Sequence, residues 1–276
     1  MHLITPKKQN TMNDSKFNIA VLIDGDNAQA KLIKEIIEEV SKYGKATIRR
    51  IYGDWTTPHM NSWKEIINQY SINPIQKFSY TTGKNSTDSS LIIDAMDILH
   101  SQNADGFCIV SSDSDYTGLA KRIREEGLFV MGIGRRTTPI AFVNSCDIFT
   151  FTENLSIDSD LADEKIEVRK KNTTAKLKQA TPKLLEKIEI ELKQPQKAGF
   201  PKLNIAIIDK AFEISTNEED EAYISKVGSS LRKMDPSFDS RTYGFKTLTQ
   251  LFESIDKYVI VKNEVNGLNH PLVKLK

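Results

Sequence analysis

Five of six notable aspartates fall in short polar segments that each end or open a regular stretch of the chain. Asp24 and Asp26 close the apolar run in LIDGDN, and Asp113 and Asp115 follow another in VSSDSDY. Asp88 opens a helical stretch in KNSTDSSL, with Asp94 six residues further on. Carboxylates gathered in one small volume repel one another unless a divalent cation offsets their charge. An oxygen-only ligand set points to Mg²⁺ or Mn²⁺ rather than zinc. The scattered His2, His59, His100 and His270 and the lone pair Cys108 and Cys146 give no zinc-ligand spacing. An acidic site of this kind can activate water and steady the leaving oxygen of a phosphodiester.

Each aspartate also has an ordinary structural role. Asp88 can face a helix dipole, and Asp113 and Asp115 can do the same for the next helix. Asp26 stands beside Gly25 and suits a turn. Asp94 lies well around a helix of about 3.6 residues per turn from Asp88, which places it behind the cluster. Several aspartates at one edge of a sheet are harder to explain by capping alone.

Polar neighbours extend the set. Asn27 can orient Asp24, and Ser111 and Ser112 can bind phosphate or serve strand-end and cap bonds. Lys84, four residues before Asp88, can meet the scissile phosphate; Arg135 and Arg136 can clamp a nucleic-acid backbone. The GIG at 132–134 is too short for a dinucleotide fingerprint and reads as a turn.

Alternating elements must position these residues. FNIAVLID (17–24), ATIRRIYG (46–53), NPIQKFSY (73–80), GFCIVSS (106–112), LFVMGIG (128–134) and DIFTF (147–151) read as strands. Between them lie helical patterns, the first carrying Leu32, Ile33, Ile36, Ile37 and Val40, with Gly44 at its expected C-cap. Helices also fit 59–70, 88–100 and 116–127, with a short one at PIAFVNSC. This rhythm predicts a parallel sheet with helices on both faces. In such a sheet ligands sit beyond the carboxyl ends of the strands, where the aspartates collect. They converge if the first and fourth strands are neighbours.

The rhythm stops after residue 155. Residues 156–180 are polar and read as a basic linker. Helical patterns resume at 181–193, with Thr181 as N-cap, and recur in KLNIAIIDKAFEI, AYISKVGSSLRKM and TLTQLFESI. YVIVKN and HPLVKLK are strands that can pair, which gives a mainly helical, winged-helix-like second domain over 181–276. Residues 1–16 read as a disordered tail and 17–155 as the first domain.

Composition bounds the rest. With 276 residues, 39% hydrophobic and 27% charged, the chain suits two folded domains rather than a disordered one. No apolar run approaches the roughly 18 residues of a membrane span, and MHLITPKKQN has no hydrophobic signal core. Two cysteines make no disulfide framework, so a cytoplasmic setting is expected. The net charge is +1, yet residues 165–210 hold 12 Lys/Arg against 5 Asp/Glu. Such a segment can meet phosphate or remain solvated.

The segments VLIDGDN, GKNSTDSSLIIDAMDIL, GFCIVSSDSDYTGLAKRIREEG and TPIAFVNSCDIF together resemble the NYN domain of the PIN-like nucleases, over about residues 17–153. The resemblance implies a three-layer α/β/α fold and a ribonuclease dependent on Mg²⁺ or Mn²⁺. The family's acidic positions match Asp24, Asp88, Asp113 and Asp115, and its asparagine after the first strand matches Asn27. Residues 227–261, above all DSRTYGFKTLTQL, are similar to the OST-HTH, or LOTUS, domain, a winged-helix relative linked to RNA. Tyr243, Gly244 and Phe245 match its core turn; packing is their expected role. RNA contacts are expected from Lys226, Arg232, Lys233, Arg241 and Lys246.

The function this implies is cleavage of RNA, taken as single-stranded, at the acidic site, with no membrane partner and with a homodimer as a further expectation. The rival from another class is an RNA-binding adaptor whose first domain cleaves nothing. A haloacid-dehalogenase-type phosphohydrolase would use Asp24 and Asp26 as nucleophile and acid, but Ala28 stands where that motif wants Thr or Val.

Overall fold

The computed structural model describes residues 17–78, 86–155, 200–217, 220–265 and 268–276. Lys84, the tail 1–16, the linker and the helix expected over 181–193 lie outside them. Six parallel strands form the first sheet: β1 (Asn18–Asp24), β2 (Lys45–Gly53), β3 (Asn73–Gln76), β4 (Gly106–Val110), β5 (Phe129–Gly134) and β6 (Ile148–Phe151). Their spatial order is β3-β2-β1-β4-β5-β6. Strands β1 and β4 are therefore neighbours, in register from Ile19 with Gly106 to Ile23 with Val110.

Strands β1 and β4 are apolar along almost their whole length because both faces of the sheet are covered. Alternate residues of β1 serve the two sides. Ile19, Val21 and Ile23 pack with Ile33, Ile36 and Val40 of α1 (Ile33–Ser41) and with Met60 and Trp63 just before α2 (Lys64–Gln69). Ala20 and Leu22 face the other core, with Leu91 and Ala95 of α3 (Ser86–Ser101), Leu119 and Ile123 of α4 (Thr117–Glu125) and Phe142 of α5 (Ile140–Ser145). This is the three-layer α/β/α arrangement expected.

Two glycine expectations are corrected. Helix α1 ends on a Lys42 cap, and Gly44 does not adopt the left-handed backbone of a helix-ending glycine. Its hydrogen is needed for space, since a Cβ there would lie 2.4 Å from the Phe17 carbonyl oxygen. Gly132 and Gly134 belong to β5 rather than to a turn. A Cβ on Gly132 would meet the Phe149 ring at 2.4 Å, and one on Gly134 the Ser111 carbonyl oxygen at 2.5 Å. Close strand packing explains both.

The second module has helices α6 (Ile205–Ser215), α7 (Ile224–Met234) and α8 (Leu248–Glu253). They pack on an antiparallel sheet in the order β7 (Glu221–Tyr223), β11 (Leu272–Leu275), β8 (Tyr258–Val261). A two-residue ladder, β9 (Glu264–Val265) with β10 (Leu268–Asn269), lies in the connection before β11. The expected pairing of YVIVKN with HPLVKLK is present, and β7 adds a third strand. Ile208, Phe212, Val227, Leu231, Leu251, Phe252 and Val273 form the core. Tyr243 and Phe245 pack against it, as expected. Gly244 adopts φ +86°, a backbone that side chains resist, and lies against the Phe200 ring.

The two modules touch. Arg241 reaches Glu39 of α1 through a two-pronged contact, Nη2 to Oε1 at 3.0 Å and Nη1 to Oε2 at 3.1 Å. Its side chain is only 10% exposed and that of Glu39 only 4%. On the outer side of β6, the Phe149 amide donates to the Pro236 carbonyl at 2.8 Å, and Asn154 Nδ2 donates to Thr242 Oγ1 at 2.9 Å.

Candidate active site

The strand order reverses direction between β1 and β4, and the crevice at such a point, beyond the carboxyl ends, is where open α/β sheets hold ligands. Asp24 ends β1 there and is fully buried. Its Oδ2 accepts from Asn27 Nδ2 at 2.7 Å and from Ser111 Oγ at 2.8 Å, and its Oδ1 from the Asp26 amide at 3.2 Å. Ser111 arrives because β4 ends beside β1, one residue after the Ile23–Val110 pair. Burial raises the Asp24 pKa, and the bonds from Asn27 and Ser111 oppose that rise.

The loop after β4 folds on itself. The Asp113 amide donates to Ser111 Oγ at 3.1 Å, and Asp113 Oδ1 accepts the Asp115 amide at 2.9 Å, which caps the 3-10 turn Ser114–Tyr116. That turn carries Tyr116 inward, where it is fully buried, and its hydroxyl donates to Asp88 Oδ1 at 2.7 Å. Asp88 lies in the first turn of α3. One carboxylate oxygen from each of Asp88, Asp113 and Asp115 lies within 4.8 Å of the other two.

Of the four expected acidic ligands, the fold thus brings three into one group. Asp24 lies beside that group, near enough for its charge to act on Tyr116 and for the charge of Asp88 to act on it. Asp94 turns elsewhere, bonding Arg50 and Tyr52 of β2. The donor set fits a hard cation: it is all oxygen, it includes the exposed Asp115, and three like charges would otherwise face one another.

Of the candidate RNA contacts, Ser112 Oγ accepts the Arg135 amide at 2.9 Å, which ties the β4 and β5 ends together. Arg135 and Arg136 are exposed, with the Arg136 amide donating to the Glu153 carboxylate at 3.1 Å. Lys226, Arg232, Lys233 and Lys246 are exposed on the second module. Arg241 is not available to RNA. Although burial disfavours its charge, the bonds to Asp239 and Glu39 outweigh this and hold its pKa above the ordinary arginine range. Tyr116 and the Glu39–Arg241 contact were not evident from sequence. A hydroxyl-bearing aromatic directly after SDSD is a signal for the former; 202 positions separate the latter pair.

The site predicts a pH dependence. Burial raises the Asp88 pKa, the Tyr116 bond opposes this, and the charges of Asp113, Asp115 and Asp26 add to the rise. A folded-state pKa above the unfolded value means the folded form holds the proton more tightly. The resulting stability is complete below the ordinary value near 3.8 and is lost as pH rises through the raised folded value. Asp88→Asn has no proton to lose and can still accept from Tyr116. In EDTA, its melting temperature should gain on the wild type as pH climbs from about 4 to about 7. A constant difference over that range would show that the Asp88 carboxyl is not shifted upward.

A family model for the NYN domain matches residues 18–158, and one for the OST-HTH/LOTUS domain matches residues 206–270. The uncharacterized protein MJ0482 of Methanocaldococcus jannaschii is 26% identical over 173 residues, 58% of this chain. The chain spans 65% of the length of that relative. Among solved structures, a protein of unknown function, VPA0982, from Vibrio parahaemolyticus aligns with TM-score 0.43 and 19% identity over 50% of this chain and 94% of its own. An uncharacterized protein from locus NE0665 of Nitrosomonas europaea aligns with TM-score 0.27 and 23% identity over 37% of this chain and 92% of its own.

Proposed function

The chain belongs to the NYN domain family, and from that premise we propose that it is a divalent-metal-dependent ribonuclease whose OST-HTH/LOTUS module captures the RNA. The observation that carries this reading is the convergence of Asp88, Asp113 and Asp115 within 4.8 Å at the sheet crevice. Mg²⁺ or Mn²⁺ held by these carboxylates supplies positive charge to the phosphodiester and acidifies water for its hydrolysis.

The chain's own residues set the rest. Tyr116 fixes one Asp88 oxygen, so the other is aimed by the buried ring. Asn27 and Ser111 hold Asp24 beneath the cluster, where it adds negative charge. Fully buried, Asp24 offers no surface for the covalent attack a phosphohydrolase nucleophile needs. Arg135 and Arg136, exposed at the β5 end, are placed to contact the RNA backbone, with Ser112 holding the Arg135 amide.

Rigorously purified protein incubated with end-labelled single-stranded RNA should give product with Mn²⁺ or Mg²⁺ and none with EDTA. Cleavage that persists in EDTA would defeat the metal reading. RNA that is shifted on a gel yet uncut at every metal concentration would transfer the assignment to an RNA-binding adaptor.

A further inference from the structure

A cleft of about 270 Å³ opens where the two modules meet, on the side of the sheet away from the acidic site. The first module contributes Lys42 and Tyr43, at the end of α1, and Phe149 of β6; the second contributes Arg232, Ser240 and Lys246. These first-module residues lie toward the amino ends of the strands, since Tyr43 rests on Phe129, the first residue of β5, at 5.9 Å. The acidic cluster lies beyond the carboxyl ends. A strand of five or six residues at about 3.3 Å each puts the two places roughly 17–20 Å apart.

Charge gives the cleft its chemistry. Its carboxylates, Glu39 and Asp239, are both bound by the buried Arg241. Lys42 also pairs with Glu39 at 2.7 Å but keeps 54% of its side chain exposed. Arg232 and Lys246 are exposed and pair with no carboxylate among the described residues. Four cations therefore face two anions, and the excess positive charge lies at the open rim. Burial keeps the Tyr43 phenol above its ordinary pKa, so it stays a neutral donor across physiological pH. Cations on two facing walls with hydroxyl donors between them match a phosphodiester chain, whose charges repeat along its length.

We infer that this inter-module cleft is a composite binding site for the backbone of single-stranded RNA, built by Lys42 of the NYN domain together with Arg232 and Lys246 of the LOTUS module. It deepens the proposed function by locating where RNA is held, and it rests on the RNA-binding reading of the second module. Neither wall alone supplies the site. The docking through Arg241 and Glu39 brings the cations into one groove.

The test separates binding from cleavage. Full-length protein is titrated in EDTA against a fluorescent single-stranded RNA, with anisotropy read at several salt concentrations. Lys42→Glu and the pair Arg232→Glu with Lys246→Glu should each weaken binding by about tenfold or more and flatten the salt dependence. Lys64→Glu, an exposed charge reversal outside the cleft, should leave both unchanged. Loss from the Arg232 and Lys246 variant with no loss from Lys42→Glu would place binding on the LOTUS module alone and overturn the composite site. Unchanged binding in both would overturn it as well. Absence of cleavage in metal would bear only on the nuclease reading.

Discussion

Asp113→Asn is expected to lower the proposed RNA cleavage by two or more orders of magnitude while the protein remains folded. Asparagine keeps the oxygen that accepts the Asp115 amide, and asparagine and aspartate serve about equally well in such a cap. The turn that carries Tyr116 to Asp88 should therefore persist. What the substitution removes is one of the three carboxylate charges to which the proposed divalent cation is assigned. Losing a single fixed electrostatic group from an active site typically costs about 10²–10³ in rate, and losing a ligand charge should cost at least as much. Initial rates on end-labelled RNA in saturating Mn²⁺ give the ratio, and a melting curve checks the fold. Equal rates for variant and wild type would assign the cleavage to another site or to a contaminant.

The second large effect is on the union of the modules. Arg241→Ala leaves the half-buried Asp239 without its guanidinium partner and the buried Glu39 with Lys42 alone. Removing one member of a buried ion pair costs about 3–5 kcal/mol, because the charge left behind is neither solvated nor paired. The retained Lys42 bond argues for the lower end, about 3 kcal/mol on the same scale. The expected result is that the modules part: the Phe149 amide loses its protection from hydrogen exchange, and protease enters between them. Adding Glu39→Gln to Arg241→Ala should recover part of the loss, since the stranded charge is gone. If exchange at Phe149 does not change in Arg241→Ala, the contact does not hold the modules together.

Particular residues mark how far the sequence was legible. The alternation of apolar strands and helical patterns gave the first fold, because a doubly covered sheet demands strands that are apolar on both faces. Asp88, Asp113 and Asp115 were legible for the same reason, since strand order and length fix which loops share the carboxyl edge. Asp24 was correctly placed at that edge, but its deep burial follows from Ser111 and Asn27 closing over it, which no spacing reveals. Gly132 and Gly134 misled because a glycine needed for space looks, in one dimension, like a glycine needed for a turn. Arg241 misled further: an arginine in a polar, turn-like segment reads as surface, and only the docked modules bring Glu39 against it. Tyr116 went unread because its role depends on a 3-10 turn directing the ring inward rather than outward.

The bond from the Phe149 amide to the Pro236 carbonyl has a consequence for assembly. A parallel sheet that ends in an open strand offers its last row of amides and carbonyls to any other chain. Here β6 is that strand, only four residues long, and the neighbouring module already occupies part of its outer row. The opposite border, β3, is equally short and carries Pro74, which has no amide to give. Continuous sheet growth from one molecule to the next is thus blunted at both borders. Aggregation through sheet borders becomes a hazard mainly for fragments that end near residue 155 and so leave β6 uncovered.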